Sequence, residues 1–200
     1  MMKKNLRSLS YLLTILLATL LAVTACSKQE PATTTAAAGP KRSPSVEIVA
    51  AEARGFTAGA MMAANPVYVF FDPQCPHCGR MWEASLPLQK KAKFIWIPVS
   101  LVNASSGPQG AALLASDNPV KSMTQHKASL LANQGGISAS AGSHPEMEKA
   151  VKKNMDLFNS LGIEGVPFTI ARNTKTGLTV SRGGEMSTAA LAELIGVDAP

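Results

Sequence analysis

The chain has 200 residues, of which 46% are hydrophobic, 16% charged and 5% aromatic, enough apolar material for one globular domain and too much for wholesale disorder. Its formal net charge of +6 is unevenly spread. Residues 1–45 carry six basic side chains and one acid, whereas residues 46–200 carry 13 basic and 12 acidic ones, so the folded part is almost neutral and a phosphate-tracking nucleic-acid surface is excluded.

Lys3, Lys4 and Arg7 precede an apolar stretch over residues 9–25, a charged leader followed by a hydrophobic segment at the short end of what crosses a bilayer. The stretch ends in Val23-Thr24-Ala25-Cys26, which resembles the bacterial lipoprotein cleavage box. The resemblance implies a signal peptide over 1–25 and lipid on Cys26 as the first mature residue. An uncleaved membrane anchor is the weaker alternative. Ser27 after the cysteine resembles a signal for the outer membrane, so the expected location is the periplasm, anchored to a membrane by lipid. Residues 26–45, rich in Thr, Ala and Pro without apolar periodicity, read as a tether reaching roughly 25 Å.

Residues 46–200 read as one domain of alternating helices and strands. Residues 46–54 fit either a short helix or a strand, the helix being favoured, and a short strand is expected near Phe56. Val67-Tyr68-Val69-Phe70-Phe71 is a continuous β-rich apolar run, as in a central strand buried on both faces, and Asp72-Pro73 ends it. A helix is predicted from the following cysteine pair to about Ala92, then a strand at Phe94-Ile95-Trp96-Ile97-Pro98-Val99. Three helical stretches follow over 109–116, 120–133 and 145–161. The last is marked by a capping box, Ser143 to Glu146, and by Met147, Val151, Met155, Phe158 and Leu161 on one face. Residues 168–172 and 178–182 form a hairpin signal across Asn173 and Gly177, and a helix over 187–195 closes the chain before Gly196. This order is that of an α/β thioredoxin fold with a helical insertion, about 108–161, between the cysteine helix and a later proline-led strand.

Cys75-Pro76-His77-Cys78 carries the chemistry. The first cysteine of such a pair sits at a helix start, where unpaired N–H groups and the dipole favour the reactive thiolate. The second lies one turn in, placed to resolve a mixed disulfide. Pro76 suits the first helical turn, and His77 tunes the reduction potential by stabilising the thiolate. A zinc site needs about four ligands, and His77, His126 and His144 lack ligand spacing. Haem attachment would need a histidine where Gly79 stands. A purely structural disulfide remains as an alternative, though so short a loop staples poorly. Met61, Met62 and Met81 read as packing rather than a copper site, Trp82 and Trp96 as core or groove aromatics, the lysine clusters as solvated helix faces, and His126 and His144 receive no role. No metal or cofactor is expected beyond the redox-active Cys75–Cys78 disulfide itself. Gly165-Val166-Pro167-Phe168 places a proline just before a strand, where with the cysteine motif a cis bond is expected. The Val166 backbone would then pair with a substrate peptide.

The segment from Tyr68 to Cys78, Leu113-Leu114-Ala115-Ser116-Asp117-Asn118-Pro119, and Leu161-Gly162 leading to Val166-Pro167 resemble the catalytic domain of the DsbG/DsbC family of periplasmic disulfide isomerases and reductases. The resemblance runs from about Gly55 to Gly196. It implies a nucleophile at Cys75, a resolving thiol at Cys78 and a cis-proline at Pro167. Three departures are visible. Only 48 residues separate Cys26 from Cys75, where that family carries a dimerisation domain, so a monomer is expected. Pro76-His77 and Val166 are instead similar to DsbA-type oxidases. Val69 stands where thioredoxin and DsbA carry a buried acid. Oxidation of client dithiols in cell-envelope proteins, with an unidentified membrane redox partner, is therefore favoured slightly over isomerisation or reduction. A tethered non-enzymatic scaffold is the reading from another class.

Overall fold

The computed structural model describes residues 41–200, which alternate helix and strand in the order α1 (Val46–Glu52), β1 (Phe56–Gly59), β2 (Pro66–Phe71), α2 (Pro76–Ser85), β3 (Lys93–Pro98), α3 (Ser106–Ala115), α4 (Pro119–Leu131), α5 (Pro145–Ser160), β4 (Phe168–Arg172), β5 (Thr179–Gly183) and α6 (Thr188–Ile195). The expected signal peptide, Cys26 and most of the expected tether lie outside the described residues. Within the tether's last residues, Arg42 already bonds the domain: its N–H donates to Ser160 O at 2.8 Å, and its guanidinium meets Glu52 and Ser160.

The five strands lie in the order β1-β3-β2-β4-β5, with β2 parallel to β3 and every other neighbour antiparallel. The continuous apolar run places β2 at the centre. Its alternate residues feed two cores because successive side chains leave opposite faces. Val67, Val69 and Phe71 join Phe94, Trp96 and Ala171 under α2, α4 and α6. Tyr68 and Phe70 join Ile97 and Ile170 under α1 and α5. On the first face, Trp82 of α2 packs edge-on against Trp96 with centroids 5.1 Å apart, and Phe71 meets Trp96 at 5.6 Å. Both tryptophans are thus core residues rather than groove linings.

Local chemistry sets most helix ends. Ser45, Asn118 and Ser187 cap α1, α4 and α6 through their side chains, and proline opens α2, α4 and α5, where a missing N–H costs nothing. Two expectations need correction. The cysteine helix stops at Ser85, and Leu86–Leu88 form a 3-10 turn, because Pro87 has no N–H to continue the ladder and its ring crowds the preceding turn. The capping box at Ser143 is not formed either. His144 occupies the cap position without a side-chain bond, and the carboxylate that reaches back is Glu148, accepting from Gly142 N at 2.7 Å.

The insertion is stitched to the sheet at specific points. Asn154, fully buried on α5, accepts from Arg54 N at 2.8 Å and donates to Arg54 O and Pro98 O. Gly110 lets α3 cross the end of β3, since a Cβ there would lie 2.9 Å from the Pro98 Cβ. Among the described residues no helix is long and apolar enough to cross a membrane.

Candidate active site

The end of β2 delivers the chain into a tight turn that positions both sulfurs. Asp72 Oδ1 accepts from Gln74 N at 2.7 Å, and Asp72 O accepts from Cys75 N at 3.0 Å. Such an aspartate turn is the local way to reverse direction after a strand. Cys75 then caps α2: its backbone is extended (φ −91°, ψ 112°) and its sulfur accepts from Cys78 N at 3.3 Å, as a serine oxygen would. Both cysteines are free thiols, and both are buried.

Their acidities are driven apart. The Cys75 thiol is lowered to about 7, chiefly by the hydrogen bond from the Cys78 side chain, helped by the Cys78 and His77 N–H groups and the His77 charge, against the opposing effect of burial. Cys78 is pushed well up, first by burial, then by its bond to Cys75 and by the charges of Cys75 and Asp72. One thiol is therefore primed as a nucleophile at neutral pH while the other is held in reserve.

The proline-led edge lies opposite. The Val166–Pro167 bond is cis, and the Cys75 thiol points at Val166 O across 3.7 Å. Pro167 O accepts from Gly184 N at 2.8 Å, which fixes this edge to the end of β5. Among the described residues the Val166 N–H makes no hydrogen bond to the chain. A groove of about 440 Å³ runs beside it, lined by Leu161, Ile163, Val166, Phe168 and Gly184.

Pro76 and His77 are exposed at the helix start. His77 Nδ1 lies 3.1 Å from Glu185 Oε2 and 2.8 Å from an Arg80 Nη, and Arg80 Nε donates to the same carboxylate at 2.7 Å. Arg80 and Glu185 were not singled out in the sequence. The three-residue spacing of His77 and Arg80 on one helix was the available signal, whereas Glu185 arrives from another element.

A second group escaped the sequence reading. Asp72, expected only to end a strand, is the one buried acid among the described residues, and it accepts four hydrogen bonds. His126, assigned no role, is also buried. Its Nε2–H donates to Pro73 O at 2.7 Å and its Nδ1 accepts from Ile137 N at 3.1 Å, which fixes a neutral tautomer. Burial lowers its pKa. Gly136 presses on this ring with φ +86°, where a Cβ would come within 2.4 Å of Cε1. Next to the nucleophile, Gln74 donates to Gln109 Oε1 and to Gly135 O. The insertion thus clamps the shoulder of the cysteine pair. Val69 is buried as expected for an apolar residue, with Trp96 and Thr169 as its cross-strand neighbours. The described residues contain no cluster of three or more metal-ligating side chains.

No protein-family model matches the chain. It is 32% identical over 144 residues to the thiol:disulfide interchange protein DsbG of Pseudomonas aeruginosa, covering 69% of this chain and 54% of that protein. Against DsbG of Escherichia coli it is 32% identical over 106 residues, 50% and 41% of the two chains. This chain is a sequence relative of DsbG. It spans about half the length of the curated relatives it matches. Among solved structures, ScsC of Proteus mirabilis superposes with a TM-score of 0.60 at 18% identity, covering 96% of this chain and 91% of that one. That likeness, with the sheet order and the helical insertion, makes the fold thioredoxin-like.

Proposed function

We propose that this DsbG-like chain is a thiol–disulfide oxidoreductase acting on cysteines of cell-envelope proteins. The observation that carries the reading is the Cys75 thiol, lowered to about 7 at the start of α2 and facing the Val166 carbonyl across 3.7 Å. The named relatives, thiol:disulfide interchange proteins, support it.

In the oxidising direction, a client thiolate attacks Cys75 Sγ of the Cys75–Cys78 disulfide, and Cys78 leaves as a thiolate that takes up a proton. A second client thiolate attacks the client sulfur of the mixed disulfide and expels Cys75 as its thiolate. The client gains a disulfide, and two electrons rest on the pair. In the reducing or isomerising direction, the Cys75 thiolate attacks a client disulfide and releases one client thiolate. The client then exchanges internally, or Cys78 displaces it. The Val166 N–H and the adjoining groove fit an extended client segment laid against this edge. No cofactor takes part, because the pair itself carries the electrons.

Pro76-His77 and Val166 favour oxidation, and this is the first reading of direction. Isomerisation or reduction is favoured by the similarity to DsbG, 32% identical over 144 residues. Oxidation of a reduced client protein and reshuffling of a mispaired one, compared in parallel, separate the two. A variant with both cysteines replaced loses both activities, whereas a non-enzymatic scaffold would keep its function. The wider reading places a monomer in the periplasm on a lipid carried by Cys26, the outer membrane being favoured, and served by a membrane redox partner. Incorporation of labelled fatty acid, lost in Cys26→Ala, tests the anchor.

A further inference from the structure

The groove beside Val166 is not built from the thioredoxin-like core alone. Leu161, Ile163, Val166, Phe168 and Gly184 line it from the core, and Pro44 lines it from the stretch whose composition reads as tether. Pro44 is held there from both sides. Upstream, Arg42 N donates to Ser160 O at 2.8 Å. The Arg42 guanidinium donates to both oxygens of Glu52, at 2.6 and 3.0 Å, and to Ser160 Oγ at 2.8 Å. A guanidinium that grips both carboxylate oxygens is fixed in direction as well as in place. Downstream, Ser45 accepts from Ile48 N through its side chain and so begins α1. The Pro44 ring stiffens the backbone between these two anchors. Lys41 crosses Gly162, where φ is +66° and a Cβ would lie 3.2 Å from Lys41 Cδ.

The groove adjoins the reacting sulfur. Val166, whose carbonyl the Cys75 thiol faces across 3.7 Å, is one of its lining residues. Pro44, Leu161, Ile163, Val166 and Phe168 make the lining largely apolar, and Glu164 is the one ionisable residue in it. An extended segment advances about 3.3 Å per residue and turns successive side chains to opposite sides. A segment whose cysteine reaches Cys75 while its backbone pairs with the Val166 N–H therefore brings a neighbouring side chain to this groove.

We propose that the strap Arg42–Ser45 is part of the client site. Pro44 is a specificity-determining wall of the groove, which takes an apolar side chain flanking the client cysteine. Arg42 is the positioning residue that holds this wall through Glu52 and Ser160. The proposal deepens the oxidoreductase reading and rests on Cys75–Cys78 being an exchanging pair. The segment that leads into the domain then also selects what the domain acts on.

The test uses the full chain in its reduced form and two short peptides with one cysteine each, flanked by leucine in one and by serine in the other. Each peptide cysteine carries a coloured aromatic thiol in disulfide linkage. The Cys75 thiolate attacks the peptide sulfur, the bond to the aromatic sulfur breaks, and the aromatic group leaves as its coloured thiolate. Rates at increasing peptide concentration give a half-saturation concentration and a limiting rate. The leucine peptide is expected to half-saturate at a concentration about fourfold lower than the serine peptide, the effect of one buried methylene group. Pro44→Gly and Arg42→Ala are each expected to erase this preference by raising the half-saturation of the leucine peptide, with a smaller change in limiting rate. Glu52→Ala added to Arg42→Ala should do no more than Arg42→Ala alone, because both break one pair. That pair is partly exposed and contributes little to the fold, so its loss leaves a folded protein to measure. Equal half-saturation of the two peptides by the unaltered protein, a preference that survives in Pro44→Gly or in Arg42→Ala, or additive effects of Arg42→Ala and Glu52→Ala overturns the proposal. Failure of the unaltered protein to release colour from a small symmetrical aromatic disulfide would instead overturn the exchange reading on which it rests.

Discussion

Replacing Cys78 by alanine removes the S–H that donates to the Cys75 sulfur, the largest influence holding the Cys75 pKa at about 7. A hydrogen bond to an ionised group contributes about 1.5–3 kcal/mol. At 1.36 kcal/mol per unit, its loss raises the Cys75 pKa by about one to two units. Burial, which opposes the thiolate, is untouched, and so are the Cys78 and His77 N–H groups, which keep part of the depression. Cys78→Ser retains a donor at the same place and should stay near the parent value. His77→Ala removes only a charge that ranks below these bonds, so its shift should be smaller than that of Cys78→Ala. Thiolate ultraviolet absorbance followed against pH gives each midpoint, and alkylation near neutral pH gives the matching rate, expected to fall about tenfold in Cys78→Ala. A Cys78→Ala midpoint still near 7, or a larger shift in His77→Ala, would refute the assignment of causes.

His126 has a pKa lowered by burial, so the unfolded chain binds its proton more readily than the folded one. The stability it confers is complete above the ordinary histidine value, about 6.5, and falls as pH drops below it. The midpoint of thermal unfolding should decline between about pH 7 and about pH 5, and His126→Gln should flatten that decline. Gly136→Ala puts a Cβ within 2.4 Å of the His126 ring at φ +86°, and denaturant unfolding should register a loss of about 1–3 kcal/mol. Trp82→Ala empties the centre of the first core, where Trp82 packs edge-on against Trp96 at 5.1 Å, and should cost about 3–5 kcal/mol. The same measurement on Met62→Ala, a side chain 95% exposed, should change stability by less than about 0.5 kcal/mol.

What could be read from the sequence is what local chemistry dictates. The run from Val67 to Phe71 announces a strand buried on both faces because nothing polar interrupts it, and it is the central strand. Cys75 and Pro76 announce a helix start because a cap and an N1 proline have those properties. The cis bond at Pro167 was legible only jointly with the cysteine pair. The helix end at Ser85 was missed through too little weight on Pro87, whose lost N–H is as local a signal as any. Asp72 was not legible for a different reason. An aspartate before proline at a strand end is fully explained as a turn former, and most of the donors that surround its buried carboxyl come from Leu101, Val102 and Ser106, about thirty residues on. His126 likewise gains meaning only when the turn at Gly136 and the Pro73 carbonyl close around its ring. Glu185 reaches His77 across 108 positions of sequence, a pairing no spacing rule anticipates.

The most direct test is equilibration of the reduced protein with a series of glutathione redox buffers, with the fraction of Cys75–Cys78 disulfide measured at each. The account predicts one reversible two-electron transition between about −120 and −270 mV, the span from strong oxidants to thioredoxin. Within it, a midpoint near −120 to −150 mV would mean oxidation of clients, and one below about −200 mV would mean isomerisation or reduction. A pair that never equilibrates with glutathione would contradict the account and leave the two cysteines a structural staple.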